Sequence, residues 1–380
     1  MRIGFEAKRA THNFRGLGSY SRGLIEGLLE YQPSEELFLY SPPIKDKRGQ
    51  EWVDSLQANA VLKCPNTLLE TKLSTLWRSF LIASDLKKDH LDIFHGLSHE
   101  IPYRLKGAMP FKKIVTMHDL IFLRYPEFFP LVDRIVYGQK FKYACKHSDT
   151  VIAICEQTKE DLINFLGVDE KKIIVHYQSC APIFYQGLDT AKLNTTREKY
   201  KLKKSFILHV GAFEERKNQL NLLEAFAQIA NQVEEDLVFI GQGKKYKEKV
   251  EARVRELKLN DRVHFLNSVR FDELPAIYQA ASVFCFPSLF EGFGIPIVEA
   301  LFSKTPVITS IGSCFPESAG PDSFFIDPLS KSSIANGLLS VLGNQNLQNH
   351  MSEAGLEFVQ RFHRRETTAH LMDVYRRVLS

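Results

Sequence analysis

The stretch that decides the fold is Phe284-Cys285-Phe286-Pro287-Ser288-Leu289-Phe290-Glu291-Gly292-Phe293-Gly294-Ile295-Pro296-Ile297-Val298-Glu299-Ala300. It opens in an apolar run typical of a buried strand. The glycines then permit a turn whose backbone can approach a ligand, and Pro296 suits the first turn of a helix. A strand, a glycine-rich loop and a helix N-terminus together can cradle an anion. Glu291 on the loop and Glu299 about two turns later could flank that cradle. Alone, the pair fits a capping acid and a surface acid equally well.

Length and composition predict two globular domains without nucleic-acid or metal-binding features. The 380 residues exceed what one hydrophobic core usually supports. A net charge of +4 is too weak to argue for a nucleic-acid partner. Six cysteines without a Cys-x-x-Cys pair argue against zinc and against a disulfide framework. We therefore expect a protein of a reducing cytoplasm, with neither a signal peptide nor a transmembrane segment.

Short apolar runs alternate with amphipathic stretches, which is typical of βαβ units and parallel sheets. The pattern loosens over residues 177–187, which we interpret as a linker, and restarts at Phe206. The predicted fold class is therefore α/β, with two doubly wound, Rossmann-like domains facing each other across a cleft. We place the first domain at 1–180 and the second at 188–365. Ligands of such folds bind at the carboxyl ends of the strands, so the cleft is the expected site.

Two loops that follow first strands have the composition of phosphate-binding loops. Phe14–Tyr20 is a glycine turn containing Gly16, although it is not Gly-x-Gly-x-x-Gly, and a flexible loop is an equal alternative. The loop 211–218 follows the first strand of the second domain and carries Arg216 and Lys217. A guanidinium fork beside a point charge suits two phosphates, whereas adjacent basic residues are more often solvated surface.

A third feature is His118-Asp119, which ends a predicted strand at 113–117. Active-site residues of α/β folds collect there, so His118 could contact a substrate hydroxyl or a developing charge; a structural histidine is the alternative. The chain has no Gly-x-Ser-x-Gly elbow, so a hydrolase triad is not supported. It also has no Asp-x-Asp, so we expect no metal clamp on a diphosphate.

Taken in order, these segments resemble the signature of glycosyltransferase family 4, the large retaining family of the GT-B fold. The segments that carry the resemblance are Val210-Gly-x-x-x-x-Arg216-Lys217-Asn218, Phe286-Pro287-Ser288, Glu291-Gly292-Phe293-Gly294 through Glu299-Ala300, and Phe315-Pro316-Glu317. Gly16 with Leu17 and Tyr20 is similar to the family's N-terminal glycine turn, and His118-Asp119-Leu120 is similar to a segment of its bacterial members. The resemblance spans nearly the whole chain.

The resemblance implies a role for each matching residue in binding a nucleotide sugar. Arg216 and Lys217 would neutralise the diphosphate leaving group, and Glu299 would hold the ribose hydroxyls. Glu291 and His118 would face the donor sugar, and Gly16 would close over the phosphates. The remaining contacts would be made by the backbone, at Phe293, Gly294 and Ile295 to the sugar and diphosphate and at Val269 to the base.

The resemblance also implies where the molecule acts. A last helix, 366–380, would cross back to the first domain, which would bind the acceptor. The expected enzyme is a cytoplasmic, metal-independent hexosyltransferase without a cofactor, using a GDP- or UDP-sugar of mannose or rhamnose type. The acceptor would be a lipid-linked saccharide of bacterial surface polysaccharide assembly. The alternatives are a starch- or sucrose-type glucosyltransferase with a soluble product and a catalytically silent sugar-nucleotide-binding protein.

Two departures and one surface feature complete the expectations. Arg15 stands where many family members carry a glycine, and Cys155 stands where a serine is common. Basic residues near Trp77, Phe80, Leu81 and Ile82 would favour peripheral association with the inner face of a membrane if those apolar side chains were exposed. An ordinary helix packed on the first domain is the alternative.

Overall fold

The computed structural model describes residues 1–56, 60–65, 71, 73–203 and 205–380. These residues divide into two compact units. The first consists of Met1–Ser179 together with Arg364–Ser380, and the second of Cys180–His363. The C-terminal segment therefore returns to the first unit, as the resemblance implied.

The first unit is built on a parallel sheet of seven strands, counted over its described residues. The strands are β1 (Arg2–Glu6), β2 (Glu36–Tyr40), β3 (Ala60–Lys63), β4 (Ile93–Gly96), β5 (Lys112–Met117), β6 (Thr150–Ala153) and β7 (Ile173–Val175). Their order in the sheet is β3-β2-β1-β4-β5-β6-β7. Apolar side chains on both faces are buried, which explains why the strands appear in the sequence as continuous apolar runs.

Helices and short turns connect these strands. The α-helices are Lys8–His12, Gly16–Tyr31, Lys47–Asp54, Ser74–Leu76, Ala83–Lys88, Ile121–Arg124, Leu131–His147, Glu156–Leu166 and Arg364–Leu379, with a π-helix at Trp77–Leu81 and 3-10 turns at Pro126–Phe128 and Glu170–Lys172. The segment predicted as a glycine turn is a helix from Gly16 onward. Gly18 is required there, because a Cβ atom would lie 1.6 Å from the carbonyl oxygen of Asn13.

The last helix is fixed to the first unit by buried polar contacts. His95 Nδ1 lies 2.7 Å from the Tyr375 hydroxyl, and His95 Nε2 lies 2.8 Å from Thr116 Oγ1. Arg364 donates to Glu26 over 3.0 Å. Burial lowers the pKa of His95 to about 3, so this histidine is neutral at physiological pH.

The second unit is built on a six-stranded parallel sheet, again counted over the described residues. Its strands are β8 (Phe206–Val210), β9 (Asp236–Ile240), β10 (Val263–Leu266), β11 (Val283–Phe286), β12 (Val307–Ser310) and β13 (Phe324–Ile326). Their order is β10-β9-β8-β11-β12-β13. Both units are therefore doubly wound, as predicted.

The second unit also follows the expected alternation of strands and helices. Its α-helices are Thr190–Tyr200, Gln219–Ile229, Lys245–Glu256, Leu274–Ala280, Ile295–Phe302, Phe315–Ala319, Lys331–Leu342 and Gln345–Val359, with 3-10 turns at Pro182–Phe184, Glu215–Lys217, Phe271–Glu273 and Gln360–Phe362. The segment interpreted as a linker is partly structured. Phe184 within it is fully buried, with its ring edge-on to Tyr278 at 5.7 Å.

Each sheet has one point where the strand order reverses, between β1 and β4 in the first unit and between β8 and β11 in the second. Loops that leave neighbouring strands in opposite directions open a crevice at this switch point, where ligands of such sheets bind. The switch points therefore locate the candidate sites. In the described parts of the chain, no helix combines the length and the apolar character that a membrane span requires.

Candidate active site

The loops after β8 and β11 are held together at the switch point of the second unit. Asn218 adopts a left-handed conformation with φ +63° and donates its side-chain amide to the Pro287 carbonyl over 3.0 Å. The Leu289 amide donates to the carbonyl of Arg216 over 2.8 Å. Gly211 is approached from the next loop, because a Cβ atom on Gly241 would lie 1.9 Å from its carbonyl oxygen. The backbone of this edge is therefore fixed by direct contacts.

These loops bring together Arg216, Lys217 and Glu291. Arg216 Nη1 lies 2.7 Å from Glu291 Oε2, and Lys217 Nζ lies 2.5 Å from Glu291 Oε1. Arg216 Nη2 also lies 2.9 Å from Glu214. The Lys217 ammonium sits 4.8 Å from the centre of the Phe286 ring, which adds a cation–π contact. Lys217 and Glu291 are 8% and 7% exposed, so the cluster is largely shielded from water.

The charges of this cluster depend on one another. Burial raises the pKa of Glu291, but Lys217 and Arg216 outweigh it and hold that pKa below its ordinary value. Burial lowers the pKa of Lys217, and the attraction of Glu291 only partly opposes this because Arg216 repels the ammonium. Two cations thus share one acid at the expected position of a diphosphate.

The helix Ile295–Phe302 begins beside this cluster, four residues after Glu291. Gly294 is its N-cap residue, with φ +92°, a conformation that residues with side chains rarely adopt, and as a glycine it offers no side chain to cap the first turn. The first amides of a helix lack partners within the helix, so this N-terminus suits an anion. Phe293 is buried with its ring edge-on to Phe362, which fixes the loop just before the helix.

Glu299 lies on the same helix but outside the ion-pair cluster. Its Oε2 atom accepts a hydrogen bond of 3.0 Å from the hydroxyl of fully buried Tyr278. Burial raises the pKa of Glu299 to about 7, and the Tyr278 hydrogen bond opposes that shift. Glu299 is therefore a carboxyl group that titrates near neutral pH. No sequence motif identifies Tyr278 as the partner of Glu299.

Val269 lies in the coil that follows β10, where the resemblance places base recognition. The neighbouring Asn267 receives hydrogen bonds from Gln242 at its carbonyl and from Lys247 at its side chain. Lys247 is also 5.7 Å from the ring centres of Phe213 and Phe265. The segment is thus braced by the loop and helix that follow β9.

The two remaining predicted residues belong to the first unit. Gly16 is exposed at the start of its helix, and a Cβ atom there would meet nothing within 4 Å. His118 is 4% exposed, and its Nε2 atom lies 2.9 Å from the Leu97 carbonyl. That carbonyl can only accept, so Nε2 carries the proton and Nδ1 is an acceptor. Burial lowers the pKa of His118 to about 4 against the hydrogen bond to Leu97, so the ring is neutral.

Two other buried polar groups were not predicted from the sequence. His209 on β8 is fully buried, places Nδ1 3.0 Å from the Cys285 carbonyl, and has no hydrogen-bond partner at Nε2. The second group surrounds buried Glu6 and Arg78 at the switch point of the first unit. The position of Glu6 at the end of β1 was the one available signal.

Over the described residues, no three His, Cys, Asp or Glu side chains form a possible metal site.

The two doubly wound sheets define a Rossmann-like class of α/β protein, and the comparisons identify the family. The profile described as Glycosyl transferases group 1 matches residues 193–358, and the one described as Glycosyltransferase Family 4 matches residues 16–180. Each match falls almost wholly within one of the two units. The chain belongs to glycosyltransferase family 4 and is a glycosyltransferase.

Individual relatives agree with this assignment. The chain is similar to the O-antigen chain mannosyltransferase B of Escherichia coli, with 25% identity over 99% of this chain and all of that one. Among solved structures it is similar to a sucrose-phosphate synthase of Thermosynechococcus elongatus, with TM-score 0.77, 20% identity and coverage of 100% of this chain and 99% of that one. It is also similar to Anabaena HepE in complex with UDP and glucose, with TM-score 0.76, 17% identity and coverage of 99% and 100%. At these identities the two structures support the GT-B fold alone.

Proposed function

We propose that this protein is a retaining hexosyltransferase that transfers a mannose-type sugar from a nucleotide sugar to a lipid-linked saccharide during surface polysaccharide assembly. The observation that carries the proposal is the cluster of Arg216 and Lys217 on Glu291 at a switch point, beside an uncapped helix. The O-antigen mannosyltransferase named above supports the choice of sugar and pathway. The second unit would bind the donor, and the first the acceptor.

The proposed mechanism uses the charges of the cluster. In the absence of donor, Glu291 is the counter-ion of both cations. A bound diphosphate would replace it, so that Arg216 and Lys217 stabilise the negative charge that develops on the leaving group. Glu291 would then be free to accept a hydrogen bond from the donor sugar. The backbone at Phe293, Gly294 and Ile295 would meet the sugar and diphosphate, and Gly16 would approach the phosphates.

His118 would act as a neutral hydrogen-bonding group, because burial keeps its pKa near 4. Its Nδ1 acceptor suits a donor-sugar hydroxyl rather than a developing negative charge. Glu299 would accept hydrogen bonds from the ribose, and the backbone near Val269 would contact the base. Double displacement needs a carboxylate nucleophile close to the anomeric carbon, and the sequence motifs supply none, so we favour front-face attack assisted by the leaving phosphate, as the family resemblance implies.

We infer that an exposed apolar patch of the first unit contacts the membrane that would carry a lipid-linked acceptor, at a different place from the one predicted. Trp77 and Ile82 are buried in the core of the first unit, and only Phe80 and Leu81 of the predicted patch are exposed. The larger exposed patch is on the helix Leu131–His147, where Leu131 and Val132 are 64% and 69% exposed. Ile135, Val136 and Tyr137 continue the patch beside Arg134, Lys140 and Lys142. Apolar residues flanked by basic ones favour an anionic interface.

The decisive experiment for the proposed function is a donor and acceptor assay. The protein is titrated with GDP, UDP and ADP by calorimetry, then incubated with GDP- and UDP-hexoses and with lipid-linked or soluble saccharides. Transfer of a hexose to the lipid-linked saccharide with retained anomeric configuration is expected. Transfer only to a soluble sugar would instead favour the sucrose-type alternative. Nucleotide binding without hydrolysis or transfer from any donor would indicate a catalytically silent protein.

Membrane association is tested by co-sedimentation with anionic and neutral vesicles at low and high salt. Binding to anionic vesicles at low salt is expected, and Leu131→Ser with Val132→Ser should weaken it several-fold. Leu329→Ser is the matched control, since Leu329 is 74% exposed but lies in the second unit. Equal binding of both variants and wild type would exclude the helix as the membrane contact.

A further inference from the structure

The switch point of the first unit contains a second charged cluster, to which the motifs assign no role. Glu6 is the last residue of β1 and is 3% exposed, and Glu100 follows β4. Arg78 lies between them, with Nη1 3.4 Å from Glu6 Oε1 and 3.1 Å from Glu100 Oε2. Lys140 Nζ lies 3.5 Å from the other oxygen of Glu100. Residues from four separate segments thus meet at one ligand-binding position of the sheet.

Two further cations follow β1 directly, at Lys8 and Arg9. Within the described ranges, no carboxylate lies within 4.0 Å of either side chain. Both act on the cluster at longer range, since each helps to lower the pKa of Glu6 against the burial that raises it. Burial lowers the pKa of Lys8, and the charge of Arg78 lowers it further. Four cations therefore act on the two carboxylates, Arg78 and Lys140 by close contact and Lys8 and Arg9 at longer range.

This surplus of positive charge is not explained by a purely structural network. Half-buried cations cost free energy unless they are paired, and a folded protein normally supplies their partners. Arg78 also retains an unmet donor, because its buried Nε atom has no hydrogen-bond partner. Buried polar groups are normally satisfied, so an unpaired guanidinium N–H beside excess positive charge points to an anion.

We propose that the switch point of the first unit binds the phosphate or diphosphate group of the acceptor substrate. Lys8 and Arg9 would contact the anion directly, and Arg78, held in place by Glu6 and Glu100, would contribute its charge. The proposal rests on the proposed function, because it places the acceptor in the first unit. The anion has two possible sources, the diphosphate of a lipid-linked saccharide and the phosphate of a sugar phosphate.

The test is a calorimetric titration of inorganic pyrophosphate into the full chain, saturated beforehand with a nucleoside diphosphate so that Arg216 and Lys217 are occupied. Wild type is expected to bind, and Lys8→Met and Arg9→Met should each weaken binding by about tenfold or more, the loss expected for one charge-assisted contact. Methionine keeps an unbranched apolar side chain at both positions, so the two variants remove the charge and retain most of the packing. Lys112→Met is the matched control, because Lys112 is exposed at the opposite edge of the same sheet.

Two outcomes would overturn the proposal: no pyrophosphate binding by wild type, or equal affinity in wild type, Lys8→Met and Arg9→Met. If Arg9→Met does not fold, Lys8→Met alone decides. Titration with geranyl diphosphate and with glucose 6-phosphate then distinguishes the lipid from the sugar source by the tighter ligand. The affinity for the nucleoside diphosphate is measured beforehand with the same protein preparations, so that a failure of the donor site is distinguished from a failure of the site proposed here.

Discussion

The two switch points carry clusters of similar chemistry that differ in how the chain assembles them. In the second unit, Arg216 and Lys217 are adjacent in sequence, and their acid begins a recognisable motif at Glu291. In the first unit, Glu6, Arg78 and Glu100 are far apart in sequence and belong to no motif. Local spacing can therefore reveal a site whose residues share one or two loops. A site assembled by the strand order becomes visible only in the folded chain.

The clusters also differ in their balance of charge. Glu291 contacts both cations of the second unit, and Glu214 contacts one of them as well. A diphosphate bound at this site, as we propose, would therefore have to compete with carboxylates already in place. In the first unit, Lys8 and Arg9 have no such close partner among the described residues. If both sites bind phosphate groups, the donor must displace an ion pair, whereas the acceptor fills a position that lacks one.

The largest expected effect comes from removing the cations of the second unit. Arg216→Ala and Lys217→Met should each lower turnover by roughly one to two decades, since a charge-assisted hydrogen bond to the leaving group is worth about 1.5–3 kcal/mol. Rates are measured at saturating donor and acceptor. Lys244→Ala is the matched control, because Lys244 is exposed at the same edge of the same sheet. Wild-type turnover in both site variants would exclude these residues from leaving-group stabilisation.

The two cations should differ in their effect on stability. Two charges on a loop that face a ligand should be removable with little loss of stability, because the adjoining strand and helix need neither of them. The structure supports this for Arg216, whose side chain is 22% exposed. The structure does not support this for Lys217, because its ammonium group is buried against Glu291. Removing one partner of a buried ion pair leaves the charge of the other uncompensated, which destabilises the fold. The melting temperature of Lys217→Met should therefore fall below that of Arg216→Ala, and the reverse order would contradict the buried pairing.

A smaller effect is expected from the carboxyl group of Glu299. If the ionised form binds the ribose, nucleotide affinity should fall as pH decreases through about 7, by up to about tenfold per unit below that value. Glu299→Gln should bind more weakly at pH 8, and the difference from wild type should disappear near pH 6. Calorimetry at several pH values for both proteins separates this titration from that of the diphosphate itself. A difference that stayed constant from pH 6 to 8 would contradict it.

The same pKa predicts an opposite effect on stability. Glu299 has a higher pKa in the folded chain than in the unfolded chain, so its protonation stabilises the native state. This contribution is complete while pH is below the pKa of the unfolded chain, and it is lost as pH rises to about 7. At pH 8, Glu299→Gln should therefore be more stable than wild type, by up to about 3 kcal/mol at roughly 1.4 kcal/mol per pKa unit. Chemical unfolding at pH 8 and pH 4 measures this, with no gain expected at pH 4, below the unfolded pKa. A loss of stability at pH 8 would mean that the Tyr278 hydrogen bond outweighs the burial.

Most of the fold could be predicted from sequence because parallel strands buried on both faces form unmistakable apolar runs. The strand Ala60–Lys63 was not predicted, since its half-exposed residues lack that signal. Of the apolar patch predicted near Trp77, only Phe80 and Leu81 are exposed, because sequence spacing does not show which residues of an irregular helix face the core. Within the site, the roles of Arg216, Lys217 and Glu291 stay predictions. Tyr278 and the Glu6–Arg78 cluster required the folded structure.

Removal of metal ions is expected to leave turnover unchanged. The chain lacks an Asp-x-Asp pair with which many enzymes hold a cation on a diphosphate, and we propose that Arg216 and Lys217 fill the corresponding electrostatic role at the second switch point. Turnover in EDTA should therefore equal turnover in Mg²⁺. The Lys217→Met variant sharpens the test, because a protein that had lost one of its own cations could gain activity from added Mg²⁺ while wild type does not. Wild-type activity that vanished in EDTA and returned with Mg²⁺ would show that the two side chains do not suffice, and that the charge balance at this switch point includes an ion.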